Sequence, residues 1–167
     1  RAHQLRAVPA RDLLLKRHSD NEAALVAICN VLVAATSAGR RIGPSGEWLL
    51  DNFYLVEEQI RTAKRHLPKG YSAQLPQLAS GPSAGRPRVY DIAVEAIAHG
   101  DGRVDRESLT RFITAYQTVT ALDLGELWAI PIMLRLALIE NLRRVGARIA
   151  AASIDRGRAD AWATQMI

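Results

Sequence analysis

Two adjacent carboxylates, Glu57 and Glu58, are the first residues of this 167-residue chain whose pairing suggests acid–base work. Carboxylates that cleave a glycosidic bond must flank it, roughly 5 to 9.5 Å apart, whereas neighbouring residues of a helix point about 100° apart. They are assigned no such role. His99, Asp101 and Asp105 form a second titratable group, but its spacing matches neither an H-E-x-x-H zinc site nor a calcium loop. A capped turn explains it. Cys29 is the single cysteine, so no intramolecular disulfide or cysteine zinc set exists, which suits a reducing compartment. Neither Cys29, the serines nor the histidines sit in a nucleophile motif. No catalytic, cofactor-binding or metal-ligating residue is nominated.

Arg135 is placed differently. On a helical wheel it falls with Leu124, Trp128, Pro131, Leu138 and Leu142, while Glu126, Glu140 and Arg144 fall opposite. A guanidinium on an apolar face must be paired, because stripping a buried ion of its partner costs ~3 to 5 kcal/mol. The expectation is a buried ion pair between Arg135 and Glu57, which lies at the margin of its own helix's apolar stripe, with Glu95 or Asp91 as second choices. Lys69, Tyr71, Arg86 and Arg88 could contact a phosphate or a sugar. The plainer reading packs Tyr71, Leu75 and Leu78 onto helices, and packs Trp48 and Trp128 into the core.

The elements that must position these residues are helices. Thr120–Arg144 reads as the central one: Asp123 is its N-cap, Glu126 completes a capping box, and Leu122 and Leu127 form the staple. It is expected to run to about Ile154, kinked at Pro131, weakened at Gly146 and stopped at Arg156-Gly157. Upstream, Arg11–His18 predicts a short helix, and Ser19 or Asp20 caps a second one to Ala38, apolar nearly all round and ended by Gly39. Ser45 caps a helix from Gly46 to His66 with Leu49, Phe53, Val56, Ile60, Ala63 and Leu67 on one stripe. The stretch 67–88 is a long Pro/Gly-containing loop, of a kind that is functional or partner-bound in compact domains. Pro87 opens a helix to His99, and Asp105 caps another with Leu109, Phe112, Ile113, Tyr116 and Val119 facing inward. The sum is an all-α, irregular bundle of six or seven helices in a single domain, 1–167, with a central kinked helix at 120–154.

Composition narrows the function classes. The net charge of +5 is spread along the chain, so the basic stripe that nucleic-acid binding needs is absent. Ala23–Ala38 falls short of the ~20 residues of a membrane span, and Leu122–Leu142 carries Asp123, Glu126, Arg135 and Glu140. A start at Arg1 suggests a piece of something longer.

Three segments carry a resemblance. EWLLDNFYLVEEQIR (Glu47–Arg61), LPKGYSAQLPQLASGPSAGRPRVYDIAVEAIAHGDGRVD (Leu67–Asp105) and LTRFITAYQTVTALDLGELWAIPIMLRLALIENLRR (Leu109–Arg144) resemble the N-terminal region of bacterial cyclic β-1,2-glucan synthases. The resemblance implies a large inner-membrane parent that polymerises glucose from UDP-glucose, cyclises the product and carries a phosphorylase-like C-terminal region. This stretch would precede the membrane glycosyltransferase, on the cytoplasmic face. The family's donor-binding and catalytic motifs match no position here. Two roles follow: a non-catalytic scaffold or regulatory module packed on the parent's other domains, or a module that holds the growing glucan, with Trp48, Tyr71, Trp128 or Trp162 stacking on sugar rings and Tyr71, Arg86, Arg88 and Trp128 as the sugar or partner contacts.

Overall fold

The structure, a computed structural model, describes residues 4–6 and 12–166. It is all-α, as expected: α1 (Leu13–Ser37), α2 (Pro44–Asp51), α3 (Phe53–His66), α4 (Arg88–His99), α5 (Arg106–Gln117) and α6 (Leu124–Gln165), with one 3₁₀ turn at Ser72–Gln74. Helix α6 is the hub, packed against α4, α1, α3 and α2. The core runs along it, with Leu25 and Leu32 from α1, Leu49 from α2, Ile60 and Ala63 from α3, and Val89, Ala93 and Ile97 from α4 meeting Ala129, Met133, Leu136 and Ala137.

Several boundaries differ from the sequence reading, each for a local reason. The two N-terminal helices are one, because the apolar stripe Leu14, Leu25, Ile28, Leu32 continues past Ser19 and Asp20 with His18 and Asn21 buried in it. His18 donates from Nε2 to the Ile60 carbonyl at 3.0 Å, tying α1 to α3. The helix capped by Ser45 is two: Pro44 takes the first helical position of α2 after Gly43, and the chain breaks at Asn52, whose side chain donates to the Trp48 carbonyl at 2.8 Å. Asp105 caps α5 as expected, accepting from the Ser108 N–H at 2.8 Å. No side chain of α5 is fully buried, however, and the stripe from Leu109 to Tyr116 is only half-covered.

Helix α6 runs through Pro131, Gly146 and the expected stop at Arg156-Gly157. Both glycines lie beside side chains from the N-terminal part of the chain. A Cβ at Gly146 would meet Ile28 of α1 at 3.4 Å, and one at Gly157 would lie 2.6 Å from the Arg40 guanidinium.

The largest difference concerns which side of α6 faces in. Trp128 is 77% exposed and Leu124 71%, while Pro131 is exposed and Glu126 and Glu140 are buried. The wheel set the apolar face at Leu124, Trp128, Pro131, Leu138 and Leu142, whereas the inner face holds Ala129, Ile132, Met133, Leu136 and Ile139 together with the two acids. Arginines brought by α4 and α1 meet those acids, and this pairing makes the charged side the inward one.

Candidate functional site

The long loop is held by hydrogen bonds rather than by regular structure. Leu78 N–H donates to Arg86 O at 2.9 Å, Gly85 N–H to Leu78 O at 2.8 Å, and Arg88 N–H to Pro76 O at 2.8 Å. Leu75 and Leu78 are buried beneath it. Asp12 stands at the N-cap position of α1 but makes no side-chain cap there. Its carboxylate instead accepts from the Gly70 N–H at 2.8 Å and from the Ser72 hydroxyl, clamping the loop on both sides of Tyr71.

That clamp sets one wall of a cleft. His66, Pro68 and Tyr71 face Trp128, Pro131, Ile132 and Arg135 of α6 across a volume of about 520 Å³. Tyr71 and Trp128, both expected as sugar or partner contacts, line the same cleft. His66 Nδ1 is engaged with the Thr62 carbonyl at 2.9 Å, leaving Nε2 as the ring's other polar atom. The remaining tryptophans, Trp48 and Trp162, are exposed but line no cleft with Tyr71.

The two arginines of the loop end differ. Arg86 is half-buried. Arg88 lies in the interior, where Nε donates to Glu126 Oε1 at 2.9 Å, Nη2 to Glu126 Oε2, and Nη2 also to the Ala121 carbonyl at 3.2 Å. The Glu126 hydrogen bonds hold its pKa above the ordinary arginine value. Its guanidinium carbon lies 6.0 Å from the Tyr116 ring centroid, which attaches α5 to this node. Arg88 is therefore a structural ion and not a ligand contact.

The buried pair expected between Arg135 and Glu57 is not formed. Glu57 is exposed on α3 and Arg135 is half-buried at the cleft, with no ion pair joining them. The physical reason is the reversed orientation of α6: Arg135 borders the outward face, so water and the cleft solvate it. Of the second choices, Glu95 stands beside His99 at 3.7 Å on the surface. A second buried acid does exist. Glu140 accepts from Asn21 Nδ2 at 2.9 Å, from Arg143 at 3.2 Å and from Arg17. Burial pushes its pKa up, but the bonds from Asn21 and Arg17 outweigh burial and hold it below the usual glutamate value.

His99 and Asp105 line another cleft with Arg103 and Phe112. One polar atom of each is engaged: His99 Nδ1 lies 2.8 Å from Glu95 O, and Asp105 Oδ1 accepts from the Ser108 N–H, hydrogen bonding that holds the carboxyl below its ordinary pKa. Among the described residues no three His, Cys, Asp or Glu side chains are grouped to hold a metal. Sequence reasoning missed Arg88–Glu126 and Glu140–Arg17–Asn21 because partners 38 and 123 residues apart leave no periodic signal. The one available hint was Glu126 itself, which does accept from the Asp123 N–H at 2.9 Å as a capping-box residue.

Fold and sites together define an all-α helical module whose buried ionised groups are committed to one another. No family model matches the chain. It is 38% identical over 151 residues, 90% of its length, to the cyclic beta-(1,2)-glucan synthase NdvB of Rhizobium meliloti (strain 1021). The chain is therefore related to the cyclic β-1,2-glucan synthases, as the three segments implied, and the similarity extends beyond Glu47–Arg144. It spans about 5% of the length of that relative. No helix among the described residues is long and apolar enough to cross a membrane.

Proposed function

We propose that this chain is a non-catalytic helical module of a membrane-bound synthase that makes cyclic β-1,2-glucan from UDP-glucose, lying on the cytoplasmic face of the bacterial inner membrane and packed against other domains of the same polypeptide. The outward face of α1 carries this reading. Ala23, Val26, Ala27, Asn30, Val33 and Ala34 are all exposed, and no charged residue occurs between Glu22 and Arg40. A surface helix ordinarily sets charge opposite its buried stripe, as α3 does with Glu58, Arg61 and Arg65. A relative of which this chain spans about 5% has ample length to cover such a face.

The test places Val26→Asp and Val33→Asp together in the whole synthase and measures cyclic glucan made by membranes. Output should fall severalfold, while the 167-residue chain with the same changes keeps its melting temperature. Unchanged glucan output would refute the packing role.

A second reading, in which the module holds the growing glucan, is favoured by the meeting of Tyr71 and Trp128 in one cleft. Calorimetric titration with β-1,2-gluco-oligosaccharides decides it: saturable heat supports glucan binding, and silence at millimolar ligand rejects it.

A further inference from the structure

We infer that the cleft between His66–Tyr71 and Trp128–Arg135 is a subsite for one glucose unit of a β-1,2-glucan, an inference that rests on the glucan-holding reading. A glucose ring offers an apolar C–H face and a rim of hydroxyls, and it is neutral. The cleft has the matching parts. Trp128 presents an indole that is 77% exposed, although an aromatic side chain gains most by burial and ordinarily finds it. Pro68, Pro131 and Ile132 extend the apolar wall, while Tyr71, His66 and Arg135 supply polar atoms along it. A concave, mostly apolar site of ~300 to 1,000 Å³ with a few convergent polar groups is the usual form of a small-ligand pocket, and this one measures about 520 Å³.

Two further features fit a sugar better than an ionic ligand. Among the described residues no carboxylate lines the cleft, and half-buried Arg135 stands in it beside the imidazole of His66. The walls are also set in advance: Asp12 holds the Gly70 N–H and the Ser72 hydroxyl on either side of Tyr71, and Trp128, Pro131 and Arg135 ride on the hub helix. Pre-set walls lower the ordering cost that weakens sugar binding. In the bound form the Trp128 indole stacks on the C–H face, the Arg135 guanidinium donates to ring hydroxyls, and His66 Nε2 exchanges a hydrogen bond with another.

The test titrates the 167-residue chain with linear β-1,2-gluco-oligosaccharides and follows the three indole N–H resonances by NMR, the Trp128 signal being assigned with Trp128→Phe. A saturable shift of the Trp128 signal is expected, with the Trp48 and Trp162 signals still. Trp128→Ala should weaken binding roughly tenfold, and Arg135→Ala severalfold, both with unchanged melting temperatures. Undiminished binding by both variants places the sugar elsewhere and overturns this subsite while leaving the glucan-holding reading intact. Absence of saturable binding by the wild-type chain overturns both. Shifts of the Trp128 signal with protein concentration alone assign the cleft to a second copy, and likewise overturn the subsite.

Discussion

Arg88 and Glu126 form a two-pronged ion pair in the interior, Arg88 2% exposed and Glu126 fully enclosed. The pair joins the first turn of α4 to the first turn of α6. Glu126 also receives the Asp123 N–H, so one carboxylate both starts the hub helix and docks its neighbour. Arg88→Ala should cost about 3 to 5 kcal/mol, because it leaves a buried carboxylate without its counter-ion. Joint replacement by Met at 88 and Leu at 126 should recover most of that loss, and urea denaturation of the three variants measures both effects. A loss under about 1 kcal/mol for Arg88→Ala would show the carboxylate hydrated in solution.

Glu140 makes stability depend on pH in a stated direction. Its folded-state pKa is lowered, so its contribution is complete above the unfolded value of about 4.3 and is lost as pH falls through the lower folded value. Melting temperature should therefore drop through this acid window. In Glu140→Gln the stability at pH 7 should be lower and its acid slope shallower, so the two curves converge as pH falls. Parallel curves in circular dichroism melts from neutral to acid pH would contradict the assignment.

Trp128 and Met133 lie on one helix with opposite consequences. Trp128→Ser removes a side chain that is mostly in water and should alter stability by no more than about 0.5 kcal/mol. Met133→Ala empties a site that is completely enclosed and should cost about 2 to 5 kcal/mol. Chemical denaturation of the pair tests the orientation of α6, since the outward-Trp arrangement fails if Trp128→Ser is the more damaging.

At Gly146 two effects compete: helix propensity favours Ala by about 0.8 to 1 kcal/mol, and the new Cβ must fit beside Ile28. The contact would be 3.4 Å, an ordinary van der Waals distance, so propensity should win. Gly146→Ala is expected to raise the melting temperature by a few degrees. A decrease would mean that α1 and α6 approach more tightly in solution.

Cys29 should be inert while the chain is folded. Burial first, and the charge of Glu57 second, push its thiol up to about 11, leaving little thiolate at neutral pH. Iodoacetamide at pH 7.5 should label it only when denaturant is present, as mass spectrometry would show. Rapid labelling of native protein would mean that α1 opens locally.

Local signals carried much of this fold. Gly39, Gly100 and Asp105 mark helix ends through caps that need only neighbouring residues, and the stripe from Leu49 to Leu67 identifies the face of α2 and α3 that is covered. The family relation was also legible, since WLLDN, LPKGY and GELWAIPIMLRLALIENLRR are contiguous strings. What no local signal held was the rotation of α6. Two of its faces are apolar, and the choice falls to whichever acids find arginines: Arg88 for Glu126, and Arg17 with Arg143 for Glu140. Those bonds turn Trp128 and Arg135 outward to meet Tyr71, whose loop Asp12 holds in place. Helix ends depend on bonds spanning a few residues, whereas the inward face depends on charges that meet only after the chain has closed, and sequence periodicity contains no term for that meeting.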